Sequence, residues 1–395
     1  MSLFRHCLAS ATFVSFLLAG CSGSSSTSGS AGADAFYVPP DPLPSEVPGT
    51  LIRAEEIEPF SEGSKAWRVL YVSTAVDGRA IAVSGMVAAP AGPAPEVGYD
   101  VVTWSHGTKG VSDPCTPSRG YRSGFHDFYD IAPELVAEGY VGVSSDFEGL
   151  GTPGIHPYLV GPSEGRGALD IVRAAQQIED AGAGSRVVIW GRSQGGHSAL
   201  FAGEIAPTWA PELEVLGVIS AAPASEFQAI IGSGAFLPGA RGFIWQLTVG
   251  FEASYAELSI EDLYTDEALT AINALLEQEA CGAEVGEVAK DFLNAGFETS
   301  PLDLADWMAR LDENSPGNVM TGVPILLIQG EADTVVPILL TNVLAERLCA
   351  IGDELDYQVF PDFGHNDSTQ QNMSLMLDWT AARFARQPAS TSCEQ

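Results

Sequence analysis

Short apolar runs, separated by polar stretches punctuated with glycine, recur along most of the chain. Residues 67–90, WRVLYVSTAVDGRAIAVSGMVAAP, alternate apolar and polar positions around Asp77-Gly78, which predicts a β-hairpin. Further runs predict single strands: DVVTWSHG, YVGVSSD, RVVIW, EVLGVISA, VPILLIQG and LDYQVF. Helical patterns lie between them. Residues 130–139 end at a glycine cap, GRGALDIVRAAQQIEDAG places Leu169, Val172 and Ile178 near helical spacing, and QGGHSALFAGEIA should stop before Pro207. A long helix from about Ser368 to Arg386 should close the chain. Short strands alternating with helices predict an α/β fold with a mainly parallel central sheet covered on both faces.

From 222 to 318 that alternation breaks. Only helix signals remain there: Ser259-Ile260-Glu261-Asp262, the stretch 266–279, and Ser300-Pro301 as N-cap and first helical residue. This segment is expected to be a helical insertion, a lid or cap, within a core formed by 51–221 and 319–395.

The N-terminus follows other rules. A basic Arg5, an apolar run over 8–18 and then Leu18-Ala19-Gly20-Cys21 predict a secretory leader over 1–20, too short to span a bilayer well. Its end resembles the lipobox of bacterial lipoproteins, which implies cleavage before Cys21 and a diacylglycerol on its sulfur. The expected location is the cell envelope, in the outer membrane or at the cell surface. The Ser, Gly and Pro-rich stretch 21–50 reads as a flexible tether.

Composition narrows the partners. The chain has 395 residues and a formal net charge of −33, with Lys65, Lys109 and Lys290 its only lysines. Such a balance argues against nucleic acid, and against anionic membrane surfaces apart from the proposed lipid anchor. Four cysteines remain beyond Cys7 and Cys21, and export favours two disulfides among them. Three pairings are open. Cys349 and Cys393 flank the last helix and a polar tail that would otherwise fray, which favours Cys349–Cys393 and leaves Cys115–Cys281. No Cys or His spacing suggests a metal site.

Two stretches carry G-x-S-x-G, centred on Ser163 and Ser193. That motif makes a nucleophile only on a sharp strand-to-helix turn. Ser193 follows the strand RVVIW and opens a helix, whereas Ser163 follows a poor strand beginning beside Pro157 and has Pro162 directly before it. Counting VVTWSHG as the third strand puts RVVIW fifth, the strand that precedes the nucleophile in the α/β-hydrolase fold. The chain order Ser, Asp, His for that fold selects His365, after the last strand, over His106, His126, His156 and His197. Asp333, in the turn after VPILLIQG, is the expected orienting carboxylate, with Glu331 its neighbouring alternative. The oxyanion donors should be the amides of Gln194 and of Thr108, with Gly107 the second choice for the latter.

With these residues in place, WSHGTKG, DPCTPS, DFEGLGTPGIHPYLVGPSEGRGALDIVRAA, WGRSQGGHSALFAGEIAP and QGEADTVVP together resemble the secretory lipase family of the α/β-hydrolases. The likeness runs from about Glu55 to the C-terminus, and 146–166 is its most specific block. It implies carboxyl-ester hydrolysis of lipid esters, a helical lid after the sixth strand, two disulfides, no cofactor, and a triad on Ser193, Asp333 and His365. Arg192 departs from the pattern, since a histidine is common there. The stretch 235–251, AFLPGARGFIWQLTVGF, is expected to line an acyl pocket and form lid core. Two other readings stay open: an esterase for short acyl, aryl or polymeric esters, and a surface lipoprotein that binds lipid without catalysis.

Overall fold

The computed structural model describes residues 35–120, 128–234 and 237–393. The leader, Cys21 and His126 lie outside them. A nine-stranded sheet runs through the core in the order β1-β2-β3-β5-β4-β6-β7-β8-β9. The strands are β1 (Leu51–Ile57), β2 (Ser64–Thr74), β3 (Ala80–Pro90), β4 (Tyr99–Ser105), β5 (Val141–Ser145), β6 (Ala183–Arg192), β7 (Glu214–Ala221), β8 (Ile325–Gly330) and β9 (Leu355–Phe360). β1, β2 and β3 pair antiparallel at one edge, and β3 meets β5 antiparallel. From β5 onward every pairing is parallel.

The period of two is visible in β6. Val187 and Ile189 face one layer, with Leu169, Ile171 and Leu200. Val188 and Trp190 face the other, with Ile131, Leu135 and Trp379. The first layer is built largely by α2 (Gly161–Ala175) and α3 (Gln194–Trp209), the second by α1 (Phe128–Ala137) and α11 (Met373–Phe384). Both faces of the sheet are covered, so its strands read as apolar runs rather than as a clean alternation.

Between β7 and β8 the chain leaves the core. It forms α4 (Phe227–Ser233), α5 (Arg241–Ser254), α6 (Asp266–Glu277), α7 (Gly282–Ala289) and α8 (Ala305–Glu313). These helices bury their own apolar cluster, including Phe227, Trp245, Phe251, Leu263 and Trp307. Ser259 caps Glu261, Thr265 caps Ala268 and Ser300 caps Leu302 through their side-chain oxygens. α9 (Ile338–Ile351) then bridges β8 and β9.

Four local features differ from the sequence reading. β1 is an extra edge strand, so the elbow serine follows the sixth strand and the insertion follows the seventh. Pro207 lies inside α3, and Ala210 N–H still reaches Ala206 O at 2.9 Å. Pro207 removes only the bond its N–H would make to Gly203 O, and the helical ladder closes again beyond it. The closing helix is broken into α10 (Asp367–Gln370) and α11. Its first turn is held by the preceding loop, where Asp367 Oδ2 accepts the Gly364 N–H at 2.8 Å. Finally, the stretch taken as tether is packed from its later part. Phe36 and Tyr37 are buried against Leu70 and Ala82, and Tyr37 OH lies 2.9 Å from Ser118 Oγ.

Among the described residues two disulfides are present. Cys115–Cys281 joins the loop after β4 to the start of α7, and Cys349–Cys393 ties the end of α9 to the C-terminal segment, with Cα separations of 5.5 and 5.4 Å. Gly110 and Cys281 form a β-bridge, and Gly282 N–H donates to Lys109 O at 2.8 Å, so the first disulfide sits within a small backbone seam.

Candidate active site

β6 ends at Arg192 and α3 begins at Gln194, leaving Ser193 alone in the turn with φ 58° and ψ −122°. That conformation is outside the regions a non-glycine residue ordinarily adopts. The flanking glycines make room for it. A Cβ on Gly191 would stand 1.8 Å from Gly195 O, and one on Gly195 would stand 1.9 Å from Ser105 O. The turn is held by Ser193 N–H donating to Ala221 O at 2.8 Å.

Ser193 Oγ lies 3.0 Å from His365 Nε2, and His365 Nδ1 lies 2.7 Å from Asp333 Oδ2. His365 comes from the loop after β9, and Asp333 from the turn after β8. The turn holds Asp333 firmly: its Oδ1 accepts the Val335 and Val336 N–H groups at 2.8 and 2.9 Å, and Gln329 Nε2 donates to Oδ2 at 3.2 Å. Burial works to raise the Asp333 pKa. The hydrogen bond and charge of His365, with those two amides, outweigh it and hold the carboxyl below its usual value. Glu331 is exposed and plays no part in this contact.

The loop after β4 brings Thr108 to the same cavity as Ser193 and His365. Thr108 Oγ1 lies 2.7 Å from Tyr158 OH. Gln194 is the first residue of α3, so its N–H has no partner one turn back in the helix. Among the described residues neither the Thr108 nor the Gln194 amide has a hydrogen-bond partner. Helix N-termini favour developing negative charge. Arg192 is buried, and its Nη1 donates to Asn366 Oδ1 at 2.7 Å, which ties the residue before Ser193 to the one after His365.

Ser163 falls elsewhere. It sits in the first turn of α2 and donates from Oγ to Glu148 Oε2 at 2.6 Å. The other described histidines are engaged as well. His106 lies between the Gly107 and Asp146 carbonyls, its pKa pulled down to about 3, chiefly by burial. His156 and His197 belong to a buried cluster around Glu164.

A cavity of about 500 Å³ opens beside Ser193, lined by Leu159, Ile230, Leu237, Phe243, Leu247 and Leu340 among others. A second arm of about 460 Å³ runs past Thr108, His365 and Gly286. Ser193, Phe243 and Val335 border both arms. Each volume lies within the usual range for small-molecule sites. Leu237, Phe243 and Leu247 come from the stretch 235–251, of which residues 235 and 236 lie outside the described ones.

The family model described as secretory lipase matches residues 126–392. The chain belongs to the secretory lipase family. Its relatives include a secreted triacylglycerol lipase of Malassezia globosa, 24% identical over 386 residues, which covers 92% of this chain and 83% of the relative. A Mycobacterium tuberculosis protein named "probable inactive lipase" is 25% identical over 385 residues, covering 90% of this chain and 82% of that one. Among solved structures, Candida antarctica lipase A in its closed state superposes with a TM-score of 0.78 at 20% identity, covering 91% of this secretory-lipase chain and 87% of its own. A rice cell wall degrading esterase from Xanthomonas oryzae gives 0.69 at 18% identity, over 87% of this chain and 100% of its own. At those identities the likeness speaks for the α/β-hydrolase fold.

The sequence reading overlooked Glu164 and Tyr158. A signal for Glu164 was present: it shares a helical stripe with Ala168 and Ile171, both buried, and a carboxylate on such a stripe needs partners.

Proposed function

We propose that this protein is a serine carboxyl-ester hydrolase that cleaves acylglycerols or similar lipid esters through an acyl-enzyme on Ser193. The observation that carries the reading is the continuous contact from Ser193 Oγ through His365 to Asp333, at 3.0 and 2.7 Å. In this scheme His365 takes the hydroxyl proton as Ser193 attacks the ester carbonyl. Asp333 holds the imidazole in the tautomer with a proton on Nδ1 and stabilises the imidazolium that forms. The oxyanion is met by the Gln194 and Thr108 amides. The alcohol leaves with the proton from His365, and water then releases the acid by the reverse sequence of transfers.

The apolar arm bordered by Leu237, Phe243 and Leu247 suits an acyl chain, and the segment 222–318 would act as the cap over it. Export with a lipid anchor at Cys21 is part of the proposal, supported by the leader pattern and by relatives whose names call them secreted. Metabolic labelling with a lipid precursor tests the anchor: label on the wild type and none on Cys21→Ser is the expected result.

The purified chain should hydrolyse p-nitrophenyl esters and react with a fluorophosphonate, and Ser193→Ala should abolish both. Retention of either by the variant would falsify the assignment. Rates on short-chain esters, long-chain esters and emulsified triglyceride then separate a lipase from an esterase confined to short, aryl or polymeric esters. The relative named as an inactive lipase makes a non-catalytic lipid binder the remaining alternative; it predicts no labelling at all.

A further inference from the structure

We infer that Glu164 is a positioning residue for the Gln194 amide, acting through the Gln194 side chain; this rests on Ser193 being the nucleophile and Gln194 N–H an oxyanion donor. Glu164 is fully buried in the first turn of α2. Its Oε1 accepts the Leu159 N–H at 2.9 Å and a Gln194 Nε2 hydrogen at 2.8 Å. The other Nε2 hydrogen of Gln194 points at His156 Nε2, 2.7 Å away.

The orientation of that amide is dictated by its neighbours. His156 Nδ1 faces the Glu148 carbonyl at 2.8 Å, so Nδ1 carries the hydrogen. Burial, opposed by Glu164, pulls the His156 pKa below its usual value, which keeps the ring neutral and leaves Nε2 an acceptor. Turning the Gln194 amide over would set its oxygen against two acceptors. The side chain of the residue after Ser193 is therefore clamped at both N–H groups, and the direction of its backbone N–H is clamped with it.

A second histidine adds to the constraint. His197 Nδ1 faces Glu164 Oε2 at 3.0 Å, and His197 Nε2 faces Asn314 O at 2.9 Å. Both partners are acceptors. Asn314 also accepts the Gly161 N–H through Oδ1 at 2.9 Å and donates to Tyr255 OH at 2.9 Å. The same network thus joins the elbow to the far end of the helical insertion. These buried polar groups form one hydrogen-bonded cluster that holds Gln194 through its Nε2, its Oε1 being buried without a partner among the described residues. Their convergence on the residue next to Ser193 is what an oxyanion site requires of its support.

The substitutions separate position from packing. Glu164→Gln can preserve every contact: its oxygen accepts from Leu159 and Gln194, its amide donates to His197 Nδ1, and His197 Nε2 can donate to Asn314 O. Glu164→Leu removes the clamp, and Gln194→Met removes the clamped amide while keeping its length. Steady-state kinetics on p-nitrophenyl butyrate, with Ki for an aliphatic trifluoromethyl ketone, read the effect in the full chain. Gln194→Met and Glu164→Leu should lower kcat about 10- to 100-fold, somewhat less than loss of a whole oxyanion donor, with KM within about threefold. The ketone Ki should rise in step. Glu164→Gln should stay within about threefold of wild type. The double variant should be no slower than the slower single.

Wild-type kcat in Gln194→Met, or a fall in kcat with unchanged Ki, overturns the inference. Should Glu164→Leu not fold, Gln194→Met and Glu164→Gln decide it alone. Activity surviving in Ser193→Ala would instead remove the nucleophile assignment itself, which is a different failure.

Discussion

Glu204 offers a quantitative test of how the insertion is fastened. It lies on α3, three turns below the elbow, and its Oε1 accepts the Gly317 N–H at 2.7 Å where the chain returns from the insertion. The side chain is only 8% exposed. Burial is the main cause that pushes its pKa up to about 8 from 4.5; Asp353 adds to the rise, and Gly317 N–H and Arg347 oppose it. A raised carboxyl pKa means the folded state binds the proton more tightly than the unfolded chain. Its contribution is therefore complete below about pH 4.5 and is lost as pH climbs to about 8. At roughly 1.4 kcal/mol per pH unit, the loss across that window has a ceiling of about 5 kcal/mol. Glu204→Gln keeps an acceptor for Gly317 and cannot ionise. Urea unfolding of both proteins, disulfides intact, at pH 5, 7 and 9 should show the variant gaining on wild type as pH rises and levelling off above pH 8. Taking the difference cancels other buried acids such as Asp146 and Asp170, which titrate in both proteins. A stability difference that does not change with pH would refute the reasoning.

Asp333→Asn should lower kcat by about 10⁴, by favouring the wrong His365 tautomer, while leaving near-UV circular dichroism unchanged; a loss under tenfold would contradict the orienting role. Gly195→Ala should cost more than about 3 kcal/mol or prevent folding, because the new Cβ would lie 1.9 Å from Ser105 O; soluble expression and thermal melting check it. Replacing both Cys115 and Cys281 by Ala should cost up to about 5 kcal/mol, and the Cys349–Cys393 pair up to about 4, from the loops of 166 and 44 residues they close. Equal melting shifts for the two pairs would point to native-state strain rather than loop closure.

The architecture was legible wherever a strand is buried on both faces. Val187 through Trp190 and Ile325 through Ile328 read as strands because nothing polar interrupts them. β1 was not legible. LIRAEEI pairs with β2 alone, has half its residues exposed or nearly so, and engages Arg68 through Glu55 at its surface, so it lacks an apolar face. Phe36 and Tyr37 were lost in a tract whose composition otherwise signals a tether. Pro207 misled because one missing N–H removes a single bond and does not end a helix whose next bond still closes, Ala210 N–H to Ala206 O. For the site, motif context and chain order singled out Ser193, Asp333 and His365, and these three lie within hydrogen-bond reach. The Glu164 cluster escaped because its members come from three separate stretches: Gln194 and His197 share α3, but no local spacing brings Glu164 or Asn314 to them.

The two disulfides also divide the chain into covalent compartments. Ser193 lies inside the ring closed by Cys115–Cys281, and His365 inside the ring closed by Cys349–Cys393. Asp333 belongs to neither. The alignment of the three groups therefore depends on the pairing of β8 with β7 on one side and β9 on the other. Heat or denaturant that frays this seam would part Ser193 from His365 while both rings stay closed. Inactivation should then run ahead of global unfolding, and on cooling each ring would re-enter register as a unit.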